Sequence, residues 1–148
     1  MRSIRYWLAA LVAVPALAGA QAGPEAWVRE AYAPLWQNAS AVTADIAPVY
    51  YHDPVAYHPA DGRFQHARPG PWLEGLLAGW ATSGWAGSML DGYRQQRIND
   101  RTWALTMRWR DRYPGGAAEH SCGWYLAARV DGGWKFTAYA PVECSEVF

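Results

Sequence analysis

The sequence predicts an α+β fold, in which three N-terminal helices pack against a cone-shaped, curved antiparallel sheet. Two observations favour this fold. Apolar residues recur at helical spacing in the first half of the chain, and they alternate with polar residues in the second half. In addition, residues 49–62 lie between two helical patterns and precede four strand-like segments, so helices and long strands are segregated along the chain.

The first 22 residues have the pattern of a secretory signal peptide. Arg2 and Arg5 precede an apolar stretch over residues 6–17, and small residues follow at 18–22. The apolar stretch is shorter than the ~20 residues that a membrane-spanning helix needs. We therefore expect a periplasmic or secreted protein with no stable membrane insertion, formed by a single domain over residues 23–148.

Three helical segments are expected before the sheet. Apolar residues at helical spacing predict a helix over residues 24–36, which Pro34 kinks or shortens. A second, short helix is expected over residues 41–51, with Pro54 ending it. A third helix over residues 71–83 begins at a proline, and Gly84 is placed to cap its end.

The strands follow from the alternating pattern. A short strand is expected over residues 55–58, followed by a turn at Asp61 and Gly62. Residues 88–98 then form the first long strand, and the next has Trp103, Leu105, Met107 and Trp109 on its inner face. Alternation also places Cys122, Trp124 and Leu126 on one inner face, and the turn at residues 131–133 joins that strand to the last one, which carries Phe136.

The two cysteines, Cys122 and Cys144, are expected to form a disulfide, because an exported protein lies in an oxidising compartment. A three-residue hairpin loop would place Cys122 opposite Val142 and diagonal to Cys144. Direct opposition of the two cysteines would then need a bulge, with Pro141 as its expected position.

Composition limits the classes of function. The chain has 13 basic and 13 acidic residues, so its formal charge is zero and it lacks the strongly basic character of many nucleic-acid-binding proteins. It has 10 tryptophans and 9 tyrosines, and so many aromatic rings either fill a core or line a pocket for a small apolar or aromatic molecule. The candidate ligand-binding residues are Trp36, Trp72, Trp80, Trp103, Met107, Trp124 and Phe136.

Three segments resemble the nuclear transport factor 2-like superfamily. Residues 36–40 are similar to its helix-ending turn, residues 49–62 to its helix-to-strand segment, and residues 130–136 to its last hairpin. That superfamily includes SnoaL-like polyketide cyclases, ketosteroid isomerases, limonene epoxide hydrolases and scytalone dehydratases, together with members that only bind or assemble. The resemblance implies an apolar cone and a homodimer, but it does not fix a function.

The resemblance also implies a candidate site. The position of the catalytic aspartate of ketosteroid isomerases falls on His58, whose ordinary pKa near 6.5 suits an acid or base. Tyr32 lies near the position of the tyrosine that polarises the substrate, and Tyr57 is a second candidate for orienting it. No acidic residue occupies the matching late-strand position at residues 124–126. An ordinary histidine at the rim of a pocket is the alternative reading of His58.

Three functions remain open on the sequence. The first is an exported protein that binds a small molecule in an aromatic-lined cone. The second is a cofactor-free isomerase, cyclase or dehydratase that uses His58, and the third is a dimeric module for assembly or partner binding. The sequence carries no nucleotide-binding, nucleophile or metal-ligand motif, so no cofactor or metal is expected. The pattern does not decide which way Asp91 and Tyr93 face.

Overall fold

The structure is a computed structural model that describes residues 22–116 and 118–148. Residues 1–21 of the predicted signal peptide lie outside the described residues. Within the described ranges, no helix is long and apolar enough to cross a membrane.

The first predicted helix is one helical segment with three hydrogen-bonding patterns. It is α-helical over Glu25–Trp27 (α1), π-helical over Val28–Tyr32 and 3-10 helical over Ala33–Gln37. The tighter 3-10 part of the segment includes Pro34, the residue that was expected to kink or shorten the helix. The segment buries one stripe of large side chains against the sheet, formed by Val28, Tyr32 and Trp36.

The second helix is shorter than predicted, and the strand after it is longer. A 3-10 turn at Ala44–Ile46 leads into α2, Ala47–Tyr50, and strand β1 covers Tyr51–Tyr57. Pro54 therefore lies inside a strand rather than at the end of a helix. Proline has no backbone N–H to donate to a neighbouring strand. The strand tolerates it because the pairing of β1 with the last strand is irregular between Tyr51 and Ala56, so no regular hydrogen bond is lost there.

The third helix, α3, covers Pro69–Thr82, close to its predicted bounds, and follows a short strand β2, Gln65–Ala67. Gly84 ends the helical path with a positive φ of 78°, and its N–H donates to the carbonyl of Ala81. Its predicted capping role is confirmed.

Four long strands complete a six-stranded sheet. They are β3, Gly87–Asn99; β4, Thr102–Arg112; β5, Ala118–Val130; and β6, Gly133–Val142. The order across the sheet is β2-β1-β6-β5-β4-β3, with β1 parallel to β6 and the other neighbours antiparallel. The predicted α+β fold, with helices on a curved sheet, is confirmed.

The inner face of β5 is opposite to the predicted one. Leu105 of β4 pairs with Tyr125, and both are buried, whereas Trp124 pairs with Thr106 on the outer face. The prediction that placed Trp124 and Leu126 inside was wrong, because apolar side chains occupy both faces of β5 and alternation alone does not identify the buried one.

A bulge in β6 corrects the register of the last hairpin. The turn has two residues, since Val130 pairs with Gly133, and not the three that were expected. Thr137 is the extra residue of the bulge between the pairs Leu126–Ala138 and Ala127–Phe136. Its insertion restores the expected pairing of residue 122 with residue 142.

The predicted disulfide is present between Cys122 and Cys144, with 5.2 Å between their Cα atoms. The bulge lies at Thr137, however, and not at Pro141. Cys144 begins α4, Cys144–Val147, so the bond joins β5 to a helical turn beyond the end of β6. It fastens the C-terminus to the sheet.

Candidate functional site

The candidate site is a cavity of about 270 Å³ between the helices and the inner face of the sheet. The N-terminal helical segment, α3 and strands β1 and β3 to β6 all contribute to its wall. Its aromatic lining consists of Tyr32, Trp36, Tyr51, Trp72, Trp80, Trp85, Trp109, Tyr113, Tyr125 and Tyr139. The cavity is therefore the point at which most of the chain's buried aromatic rings meet.

Edge-to-face and tilted contacts hold these rings in place. The ring centroids of Trp80 and Trp85 lie 5.3 Å apart, and Trp36 packs edge-on against Trp80 at 5.9 Å. On the other side, Tyr51 packs against Trp72 at 5.1 Å. Such contacts position rigid apolar walls with little side-chain freedom.

Five tyrosines line the wall, among them Tyr32, Tyr51, Tyr125 and Tyr139. The hydroxyl oxygens of Tyr32 and Tyr51 lie 2.5 Å apart, so one donates to the other. Burial raises the pKa of Tyr32 well above its ordinary value, and the neighbouring Tyr51 raises it further. Burial likewise raises the pKa values of Tyr51, Tyr125 and Tyr139. These hydroxyls are neutral at physiological pH and act as hydrogen-bonding groups.

A buried carboxylate lies on the same wall. Asp111 is 8% exposed and comes two residues after Trp109, so strand alternation places both on the inner face of β4. Ser88, its cross-strand partner on β3, donates from Oγ to Asp111 Oδ1 at 2.5 Å. The indole Nε1 of Trp85 donates to the same Ser88 oxygen at 2.9 Å. These two hydrogen bonds hold the Asp111 carboxylate close to Trp85.

Two donors of the lining have no acceptor. The indole nitrogens of Trp36 and Trp72 are buried, and among the described residues neither has a hydrogen-bond partner. Buried N–H groups in folded proteins nearly always have one. Two tryptophans of the cavity lining therefore carry indole N–H groups without a partner, beside the tyrosine hydroxyls.

The cavity contains part of the predicted ligand-binding set. Trp36, Trp72 and Trp80 line it, as does Tyr32. Trp103, Met107, Trp124 and Phe136 do not belong to its lining. Met107 and Phe136 are fully buried in the core beside the cavity, and Trp124 lies on the outer face of β5.

His58 and Tyr57, two candidates for catalysis, also lie outside the cavity lining. The His58 side chain is exposed and packs against Phe64, with 4.7 Å between ring centroids. Tyr57 stacks on Tyr139 at 5.9 Å, so one ring separates it from the cavity. The backbone N–H of His58 donates to the carbonyl of Tyr139 at 3.0 Å, but its imidazole ring is exposed and is not part of the cavity lining.

Several functional candidates were missed by the sequence reasoning, chiefly Asp111, Ser88, Tyr125 and Tyr139. Asp111 continues the inner-face parity that was correctly assigned to Trp109, so extending that pattern by one step would have found it. Tyr139 lies three residues from Phe136, and only the bulge at Thr137 turns both inward. No local signal in the sequence identifies that bulge.

The open question about Asp91 and Tyr93 is settled by their contacts. Asp91 accepts hydrogen bonds from Arg108 Nε at 2.7 Å and, on its other oxygen, lies 2.9 Å from His120 Nε2, all on the outer face. Tyr93 is half-buried and packs against the core. Within residues 22–116 and 118–148, no group of three His, Cys, Asp or Glu side chains is placed to hold a metal ion.

No protein-family model matches the sequence, and no curated protein matches it significantly. Solved structures do match. An uncharacterised cystatin-like-fold protein from Caulobacter vibrioides superposes with a TM-score of 0.54, at 14% identity, over 78% of this chain and 84% of that one. A DUF4783 family protein from Bacteroides uniformis gives 0.52 at 11% identity, over 78% of this chain and 96% of that one.

A third solved structure shares the fold. The protein from Novosphingobium aromaticivorans named "Putative Scytalone Dehydratase" superposes with a TM-score of 0.50 at 12% identity, over 66% of this chain and 68% of that one. The chain has the nuclear transport factor 2-like, cystatin-like fold. At these identities the nuclear transport factor 2-like fold is what is shared, and function has to be argued from the cavity.

Proposed function

We propose that this nuclear transport factor 2-like protein binds a small aromatic molecule of one or two rings in its cavity. The volume of about 270 Å³ lies just below the ~300 Å³ at which pockets for drug-sized ligands begin. An apolar cavity of roughly 150 Å³ is enough for benzene. The volume supports a ligand larger than one bare ring and smaller than a steroid.

The observation that carries this proposal is the pair of unused indole donors. Trp36 Nε1 and Trp72 Nε1 are buried in the wall without an acceptor, and leaving a buried donor unpaired costs about 1–3 kcal/mol. A small shift of either ring on binding would let a ligand oxygen accept from its N–H group and would remove that penalty. We therefore expect a carbonyl, ether or hydroxyl oxygen on the ligand.

The compartment proposed for this activity is the periplasm or the exterior of the cell. The Cys122–Cys144 bond supports it, since disulfides persist mainly in oxidising compartments. The predicted homodimer remains part of the proposal. Gel filtration with light scattering of the protein over residues 23–148 would test it, and a monomer at all concentrations would contradict it.

A second candidate is acid–base catalysis in the same cavity. The observation that favours it is that a buried carboxylate, Asp111, and the neutral hydroxyl pair of Tyr32 and Tyr51 line the same cavity. A carboxylate can take up a proton while a tyrosine hydroxyl stabilises a developing oxyanion. This enzyme would use Asp111 in place of His58. The test is whether the wild-type protein speeds the exchange of the α-hydrogens of a bound ketone for deuterium from deuterated water. Loss of this exchange in Asp111→Asn would support catalysis by Asp111.

The test of binding uses two isosteric probes. Acetophenone carries a carbonyl oxygen, and α-methylstyrene has a methylene group in its place. We expect calorimetry or tryptophan fluorescence to show tighter binding of acetophenone by about fivefold, the equivalent of one hydrogen bond of ~1 kcal/mol. The proposal would be contradicted if neither probe bound, or if the two probes bound with equal affinity.

Three tryptophan variants locate the site. Trp36→Phe and Trp72→Phe each remove one unused donor but keep an aromatic ring, so one of the two should abolish most of the preference for acetophenone and leave α-methylstyrene binding nearly unchanged. Trp103→Phe makes the same chemical change outside the lining and serves as the control. Equal effects of all three variants would place the binding elsewhere.

A further inference from the structure

The charge on the cavity wall comes from one side chain, Asp111. The lining otherwise consists of aromatic, aliphatic, serine, glycine, proline and disulfide-bonded cysteine residues. Tyrosine hydroxyls in the wall are neutral because their burial opposes ionisation. When Asp111 is ionised, the cavity therefore has one negative charge and no positive charge to balance it.

No cation of the described chain neutralises this carboxylate. Its hydrogen bond comes from Ser88, and within the described ranges no Lys, Arg or His forms an ion pair with it. The flanking Arg110 and Arg112 point to the opposite face by strand alternation, and the Arg112 guanidinium donates to the carbonyl of Gln37. Buried charges are normally paired, so a counter-charge from elsewhere would be stabilising.

Indole rings share the cavity lining with this carboxylate. Ser88 links Trp85 to the carboxylate through two hydrogen bonds, and Trp85 is in contact with Trp80 and Trp36. Trp109 occupies the neighbouring inner-face position of β4. Tryptophan faces attract cations more strongly than other rings, and aromatic groups with a carboxylate are typical of sites for organic ammonium groups.

We propose that the ligand of this cavity is an organic cation, a protonated arylalkylamine or an aryl quaternary ammonium, bound by Asp111 and the neighbouring tryptophans. The inference deepens the proposed function and depends on it. The ammonium group lies against the Asp111 carboxylate, and the ring of the ligand occupies the apolar part of the cavity near Tyr51 and Trp72.

The decisive comparison uses phenyltrimethylammonium and tert-butylbenzene, which have the same shape and differ in charge. We expect the cation to bind at least tenfold more tightly at low ionic strength, and added salt to reduce that difference. This comparison is made on the wild-type chain, so it does not depend on the folding of any variant.

Variants then identify the group responsible. Asp111→Asn keeps an oxygen acceptor for Ser88 but removes the charge, and it should lower the affinity for phenyltrimethylammonium at least tenfold while leaving tert-butylbenzene unchanged. Glu30→Gln removes an exposed carboxylate outside the lining and is the matched control. It should leave both affinities unchanged.

The outcomes separate this inference from the proposed function. If tert-butylbenzene binds as tightly as the cation, the inference is overturned while an aromatic binding site remains. If neither of these probes nor acetophenone binds, the proposed function fails as well. A preference for the cation that survives Asp111→Asn would also overturn the assignment of Asp111.

Discussion

The hydroxyl oxygens of Tyr32 and Tyr51 lie 2.5 Å apart in the interior, although 19 residues separate them in the sequence. Tyr32 belongs to the N-terminal helical segment, and Tyr51 is the first residue of β1. Their hydrogen bond thus joins the helical layer to the sheet on the wall of the cavity. Both the packing of the fold and the shape of the site depend on it.

Tyr51→Phe should lower the free energy of unfolding by about 1–2 kcal/mol, because it leaves the buried Tyr32 hydroxyl without its partner. The ring is retained, so no large cavity forms. Urea unfolding followed by tryptophan fluorescence measures the change. Tyr93→Phe is the control, since its hydroxyl donates to the exposed Gln95, and its effect should stay below about 0.5 kcal/mol. Equal losses in the two variants would contradict the structural role given to the Tyr32–Tyr51 pair.

The buried tyrosines should also make the protein sensitive to alkali. Burial raises the pKa values of Tyr32, Tyr51, Tyr125 and Tyr139 above the unfolded value near 10. Their contribution to stability is fully present below pH 10 and is lost as the pH rises through the folded-state values. We expect tyrosinate absorbance from these residues to develop together with unfolding. Tyr125→Phe should reduce the protons released on alkaline unfolding by one, and ionisation of all four in the folded protein would contradict the prediction.

The sequence predicted the order of elements because each depends on local periodicity and turn chemistry. Gly84 and the turn at residues 131–132 are examples, since positive φ at these positions is favoured by the residue type itself. The face of β5 could not be predicted in this way. Trp124 and Tyr125 are both aromatic, and only pairing with β4 decides that Tyr125 is buried.

The candidate site was harder to predict than the fold for the same reason. Trp72 and Trp80 were found because helical spacing in the third helix marks a buried stripe, and Trp36 was chosen because the chain is rich in tryptophan. His58 was chosen by alignment to a family pattern, but the parallel pairing of β1 with β6 and the contact with Phe64 leave its side chain outside the cavity. Strand alternation alone could have placed Asp111 on the inner face, but its hydrogen bond from Ser88 depends on the pairing of β3 with β4 and could not be predicted from a local pattern.

Removal of the disulfide should destabilise the protein by about 3 kcal/mol, as expected for a cross-link that spans 22 residues. The test is chemical unfolding of the Cys122→Ser/Cys144→Ser double variant. The C-terminal turn should also become more accessible to carboxypeptidase, since Phe148 is otherwise held over Arg94 and Arg108 at about 5 Å. Phe148→Ala with the disulfide intact isolates that packing. A loss below 1 kcal/mol in the double variant would show that the bond adds little constraint.

Asp91 should give a small acid-dependent contribution to stability. Burial alone would raise its pKa, but hydrogen bonds from Arg108 and His120 outweigh this and lower it below the ordinary 3.8. The contribution is therefore present above pH 3.8 and is lost as the pH falls through the lower folded-state value. Asp91→Asn should cost no more than about 1 kcal/mol near neutral pH, because the ion pair is partly exposed. The stability difference from wild type should shrink below pH 4, and a difference that grows there would contradict the sign.

Two glycine substitutions should have opposite effects. Gly123 lines the cavity, and a Cβ added there would lie 2.7 Å from the ring of Tyr125, so Gly123→Ala must displace that ring. We expect a loss of about 1–3 kcal/mol in stability, as for other overpacked sites, together with weaker binding of acetophenone. Gly75→Ala makes the same change in α3 at an exposed position with nothing within 4 Å.

Because glycine is unfavourable inside a helix, Gly75→Ala should raise stability by about 0.5–1 kcal/mol and leave acetophenone binding unchanged. Unfolding curves and probe titrations of the two variants measure both effects. If Gly123→Ala lowered stability but left binding intact, the Tyr125 ring would be part of the core without being part of the site. The Tyr125 hydroxyl would then no longer count among the groups that are proposed to contact the ligand.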